Sequence, residues 1–115
     1  MKRQKFIKAL GAYGISRNAA NRMAQITRKR GGTYETALAY FEQIYTRLWL
    51  AYRGDHKAAG YFAPYGGLLA ANGYQDIGID LSNGKDMTCI VPVMRTGDTV
   101  CCGRPLFSSK GVAAE

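Results

Sequence analysis

A chain of 115 residues, 47% of them apolar, is expected to form one domain with a modest core, and so not to be disordered as a whole. Its formal net charge of +8 calls for a polyanion or an acidic surface as partner. Nothing approaches the roughly 18 continuous apolar residues of a membrane span, and Lys8 breaks the run after the basic N-terminus, so neither a span nor a secretory leader is expected.

The charge is lopsided. Residues 1–57 carry a net of +9 and residues 58–115 a net of −1, so any anion-binding surface belongs to the first half. Met1 to Arg30 holds nine Lys or Arg and no acid. Three cysteines, an odd number, fit reduced thiols in a cytoplasmic setting better than a disulfide framework.

Residues 2–13 are predicted to form a first helix, with Phe6, Ile7, Leu10 and Tyr13 on one stripe and Lys2, Lys5 and Lys8 off it. The stripe is too short, and too closely followed by a second helix, for a membrane-surface helix. Gly14 suits a sharp turn because it accepts positive φ. Residues 16–30 form the second helix, with Ser16 as N-cap, Ala20 and Met23 facing the first helix, and Gly31-Gly32 as terminator. Arg28, Lys29 and Arg30 at its end also complement the helix dipole.

The order Ala9-Leu10, Tyr13, Gly14, Ile15, Ala20, Met23 resembles the helix-turn-helix pattern of DNA-binding proteins over about residues 5–25. The resemblance implies that the second helix enters a major groove, DNA being favoured over RNA. Arg17, Asn18, Asn21, Arg22 and Gln25 would then lie near bases, while Lys2, Arg3, Lys5, Arg28, Lys29 and Arg30 would hold phosphates.

Residues 33–53 carry the broadest apolar stripe: Tyr34, Ala37, Leu38, Phe41, Ile44, Tyr45, Leu48, Trp49 and Tyr52. Thr33 is placed to cap this helix, whose aromatics read as core. In residues 54–75, Pro64 and Gly66-Gly67 are expected to prevent one long element, leaving at most a short helix at Leu68–Asn72. Tyr61, Phe62, Tyr65, Leu68 and Leu69 offer either core or a homodimer surface.

Residues 76–107 read as β. Ile77, Ile79 and Leu81 alternate with polar or small residues; Asn83-Gly84 is a hairpin turn; Met87, Cys89, Val91 and Val93 alternate on the return strand. A strict two-residue turn puts these two apolar sets on opposite faces, so a bulge at Gly84 shifting the register by one is expected. Pro92 marks an edge or a bulge. Thr96-Gly97-Asp98 leads into a third strand at Val100-Cys101-Cys102, whose cysteines are expected to be buried. The predicted fold is α+β: an N-terminal helical hairpin and a long amphipathic helix packed on a C-terminal three-stranded antiparallel meander. It forms one domain over residues 1–107, with residues 108–115 as a flexible tail.

Catalytic chemistry is thin. His56 is the sole histidine, and adjacent Cys101 and Cys102 do not have zinc-ligand spacing with it and Cys89. GYFAPYGG lacks the Lys-Ser/Thr of a phosphate loop. Asp76, Asp80, Asp86 and Asp98 lie at turns and on a wet strand face. The expectation is a non-enzymatic protein without cofactor or metal, whose cationic helix face binds nucleic acid. The alternative is an inhibitor or adaptor whose same face docks on an acidic surface of a host protein or ribonucleoprotein. In size, charge and lack of catalytic groups the chain is similar to small bacteriophage accessory proteins such as anti-CRISPR inhibitors, which implies that second role.

Overall fold

A computed structural model describes residues 1–80 and 88–108. The chain is α+β, with four helices followed by an antiparallel sheet: α1 (Arg3–Gly11), α2 (Arg17–Lys29), α3 (Tyr34–Ala51), α4 (His56–Ala71), β1 (Asp76–Asp80), β2 (Thr88–Thr96), β3 (Thr99–Cys102) and β4 (Leu106–Ser108).

Local chemistry sets the helix boundaries. Gly14 turns the chain at φ +86°, Ser16 Oγ accepts the Ala19 N–H at 3.2 Å, and Gly31 ends α2 at φ +83°. Thr33 Oγ1 caps α3 through the Thr36 N–H at 3.2 Å. At the next junction Arg53 and Gly54 both take positive φ, and Asp55 Oδ1 accepts the N–H groups of Lys57 and Ala58 to start α4. α3 is the spine: it packs on all three other helices and lies beside β1. Phe6, Leu10, Ile15, Met23, Phe41, Ile44, Leu48 and Phe62 bury together, continuing into Ile77 and Ile90 of the sheet. Trp49, expected in this stripe, is instead 38% exposed and lies against Gly54 and His56, while its neighbours Leu48 and Tyr52 stay in the core.

Residues 54–75 correct the expectation of an interrupted segment. α4 is continuous over 16 residues and contains Pro64. Pro64 stands on the exposed side, where its missing N–H leaves only the Gly60 carbonyl without an intrahelical partner. Gly66 and Gly67 are buried contact points rather than turn residues. A methyl at Gly66 would lie 3.0 Å from Ile44 Cγ2 of α3, and one at Gly67 would lie 2.5 Å from Met23 Sδ of α2. Their lack of a side chain lets three helices approach closely. Phe62 and Leu69 are core, while Tyr61 is exposed and Tyr65 and Leu68 are half-buried.

The sheet has β2 at its centre. β1 pairs with β2 in a register that sets Ile77 opposite Pro92 and Ile79 opposite Ile90. The expected one-residue shift is therefore wrong: Thr88, Ile90 and Pro92 face inward, whereas Cys89, Val91 and Val93 lie on the other face with Asp76, Gly78 and Asp80. Burial of Ile90 against the core outweighs the alternation of the odd-numbered set. The expected Asn83-Gly84 turn lies outside the described residues.

β3 and β4 both lie on the side of β2 away from β1, since Val93 pairs with Asp76 and Cys102, and Cys89 with Asp80 and Phe107. The third strand of the expected meander is thus split in two. Between the pairs Val93–Cys102 and Ile90–Leu106 the edge has one residue more than β2, a bulge at Gly103-Arg104-Pro105. Pro92 fits a central strand because it faces this bulge, its carbonyl accepting the Gly103 N–H at 2.8 Å. Ser108, expected in the tail, belongs to β4; the remainder of the expected tail lies outside the described residues. Cys101 and Cys102 are exposed, not buried, because β3 is an edge.

Candidate nucleic-acid interface

α2 buries Ala20, Met23, Ala24 and Thr27 and turns the opposite side to solvent. At 100° per residue Asn18, Arg22, Gln25 and Lys29 form one ridge, directly opposite the buried set and about 16 Å long. None of these four, nor Arg17, makes a side-chain hydrogen bond or ion pair among the described residues.

The other expected site residues divide differently. Arg3 reaches from α1 to α2, its Nη2 donating to the Asn21 carbonyl at 3.2 Å and to Asn21 Oδ1 at 3.3 Å. That contact holds the two helices of the hairpin together and occupies the Asn21 acceptor that would read adenine. Arg28 lies over the Tyr34 ring with 5.6 Å to the centroid, and Tyr34 in turn stacks on Phe6. Arg30 turns away from the ridge and donates from Nε to the Ala71 carbonyl at 3.1 Å, satisfying one of the free carbonyls at the end of α4. Lys2 and Lys5 are exposed on α1 and at its start. The sequence-predicted set thus separates into an outward group on α2 (Arg17, Asn18, Arg22, Gln25, Lys29), with Lys2 and Lys5 exposed at the start of the neighbouring α1, and a group engaged with other elements (Arg3, Asn21, Arg28, Arg30), of which Arg28 and Arg30 remain exposed.

Electrostatics sharpen the outward group. The first turn of α2 contains no acid and begins with Arg17. A cation there opposes the helix dipole, an unfavourable placement worth roughly 0.3–1 kcal/mol, and a local rule broken in this way points to function. The nearest acid in sequence, Glu35, is hydrogen-bonded by the Met1 amino group, which, with Lys5 also near, holds its carboxyl below the usual range. Beside the ridge, Asn18, Ala19, Arg22, Met23, Pro64 and Leu68 line a shallow, largely apolar groove of about 220 Å³ between α2 and α4. No signal for this groove existed in the sequence, because it depends on the unexpected continuity of α4.

A second groove, of about 630 Å³, runs between α3 and the sheet, where Arg47 makes a forked ion pair with Asp76 at 3.2 Å and Gln43 bonds the same carboxylate. Its guanidinium is therefore already neutralised. His56 is exposed at the start of α4, and among the described residues no three His, Cys, Asp or Glu gather as metal ligands. No described helix is long and apolar enough to cross a membrane. Comparison with protein-family models, with curated proteins and with solved structures gave no match, so the site rests on its own geometry.

Proposed function

We propose that this protein binds nucleic acid, duplex DNA before RNA, through the outward ridge of α2. The observation that carries the reading is the division of labour within an acid-free hairpin: some cations and amides are used internally, while Arg17, Asn18, Arg22, Gln25 and Lys29 are held out on one rigid helix without a described polar partner. A helix fits the roughly 12 Å width of a major groove. Arg22 suits guanine, Asn18 and Gln25 suit adenine, and Arg17, Lys29, Lys2 and Lys5 suit phosphates.

The test is fluorescence anisotropy with duplex DNA, single-stranded DNA and RNA at two salt concentrations. Salt-sensitive saturable binding with a preference for duplex is expected. Arg22→Glu with Lys29→Glu should abolish it, whereas Asn21→Ala should act only through hairpin stability. Undetectable binding to all three at low salt would sink the reading.

One observation favours a second reading. The apolar groove beside Arg22 suits an aliphatic side chain followed by an acidic one on a partner protein, as an inhibitor or adaptor of a host complex requires. Asn18→Ala with Gln25→Ala separates the two: base reading suffers, and docking on an acidic protein does not.

A further inference from the structure

The two edges of the sheet are treated unequally. α3 lies beside β1, whose Asp76 is held by Gln43 and Arg47 and whose outer end carries Asp80. Charges and cover of this kind block strand addition. β3 has neither. Thr99, Val100, Cys101 and Cys102 are uncharged and exposed, Val100 by 58%, and nothing among the described residues pairs with their free side.

The direction of the free backbone groups follows from one hydrogen bond. Gly103 N–H points at β2, where it meets the Pro92 carbonyl. Alternation along the strand then points Cys101 and Thr99 at β2 as well, in agreement with the Met94–Cys101 and Thr96–Thr99 pairs. The N–H and C=O groups of Val100 and Cys102 therefore point away from the sheet.

We propose that β3 pairs edge to edge with β3 of a second copy, antiparallel and centred on Cys101. The stretch from Asp98 to Arg104 is self-complementary about that residue. Val100 of each copy lies opposite Cys102 of the other, so that their outward groups exchange both hydrogen bonds on each side of the two-fold axis. Asp98 of the turn and Arg104 of the bulge then stand at the same end of the contact, twice, and both side chains are exposed without an ion-pair partner among the described residues. Centring on Val100 would set Asp98 against Cys102, and centring on Cys102 would set Arg104 against Val100; neither register pairs the charges. Charge also favours a second copy over a polyanion here, because the sheet belongs to the half of the chain with net −1, leaving both basic hairpins outside the contact.

The register makes a sharp prediction about thiols. The two Cys101 residues form a non-hydrogen-bonded pair, with Cα atoms about 4.5 Å apart, within the span a disulfide bridges. The two Cys102 residues are diagonal, roughly 7–8 Å apart, beyond that span.

Sedimentation equilibrium of the reduced protein should give a concentration-dependent dimer. Val100→Pro removes an outward N–H and leaves the β2 ladder intact; it should yield a monomer with unchanged circular dichroism and melting. Arg104→Asp should also lose the dimer, and Asp98→Arg added to it should restore association. With diamide as oxidant taking up the two thiol hydrogens, the Cys89→Ser, Cys102→Ser chain should give a linked dimer, and the Cys89→Ser, Cys101→Ser chain should not. A wild-type chain that stays monomeric at high micromolar concentration overturns the proposal. So does equal linking through both cysteines, or a dimer that survives Val100→Pro, which would place the contact elsewhere, such as a further groove between α4 and β4 lined by Tyr61, Tyr65, Leu68 and Phe107.

Discussion

Between α1 and α2 the chain turns on Gly14, which has φ +86° and open space where a side chain would stand. In α4, Gly66 and Gly67 lie within a continuous helix and have almost no space for a side chain. The hairpin uses glycine for backbone freedom, and α4 uses it for close approach. Composition is blind to that difference, because both stretches show a glycine among apolar and aromatic residues. It follows that substitutions should fail in different ways: at Gly14 through torsional strain, at Gly67 through volume.

The largest effect belongs to volume. A Cβ on Gly67 already meets Met23 Sδ at 2.5 Å and Cε at 2.6 Å, with Ile15 Cδ1 at 3.4 Å. Met23 is 1% exposed and packed, so a large side chain at position 67 must push it into the shallow groove that it lines with Pro64 and Leu68. Gly67→Leu should cost about 3 kcal/mol, the upper end for overpacking, read as a fall in the urea midpoint at unchanged slope. Gly67→Ala should cost less, because the thioether is pliable and a helix gains roughly 1 kcal/mol when Gly becomes Ala.

Torsional strain comes second. Gly14→Val should cost about 1–2 kcal/mol, since a β-branched residue must hold a left-handed conformation. Gly14→Asn should recover much of that loss, because asparagine tolerates positive φ and nothing lies within 4 Å of the new Cβ. If Gly14→Val and Gly14→Asn lose the same stability, sterics rather than torsion governs the turn and the contrast with Gly67 collapses.

The same contrast explains what was legible in the sequence. The hairpin was readable because its signals are local: Ser16 three residues before the N–H it caps, Gly14 at a turn, and Ala20 and Met23 at helical spacing. α4 was not, because Pro64 and Gly66-Gly67 are locally breakers, and only the exposed position of Pro64 and the close approach of Ile44 to Gly66 and of Met23 to Gly67 reconcile them with a helix. The register of β2 failed likewise. Two alternating apolar sets compete on that strand, and the choice of Thr88, Ile90 and Pro92 is made by what lies beneath the sheet. Within the site, the outward ridge was legible from periodicity. That Arg3, Asn21, Arg28 and Arg30 are engaged elsewhere was not, since their partners are Tyr34, Ala71 and each other across elements. Capping tests the local side of this division: Ser16→Ala should cost about 1 kcal/mol, read in the same denaturation experiment, and should lower binding by the α2 ridge only as far as α2 frays.

The smallest effect has the opposite sign. Gly11 ends α1 without a positive φ, is exposed, and has nothing within 4 Å of the place a methyl group would take. It therefore serves neither of the two uses that separate Gly14 from Gly67. Gly11→Ala should stabilise the protein by about 0.5 kcal/mol, through helix propensity and a less free unfolded chain. The expected reading is a slightly higher denaturation midpoint with unchanged affinity for nucleic acid, since Gly11 lies off the α2 ridge. A loss of stability would mean that the end of α1 needs backbone freedom after all, and the division of glycines into turn and contact roles would have to admit a third.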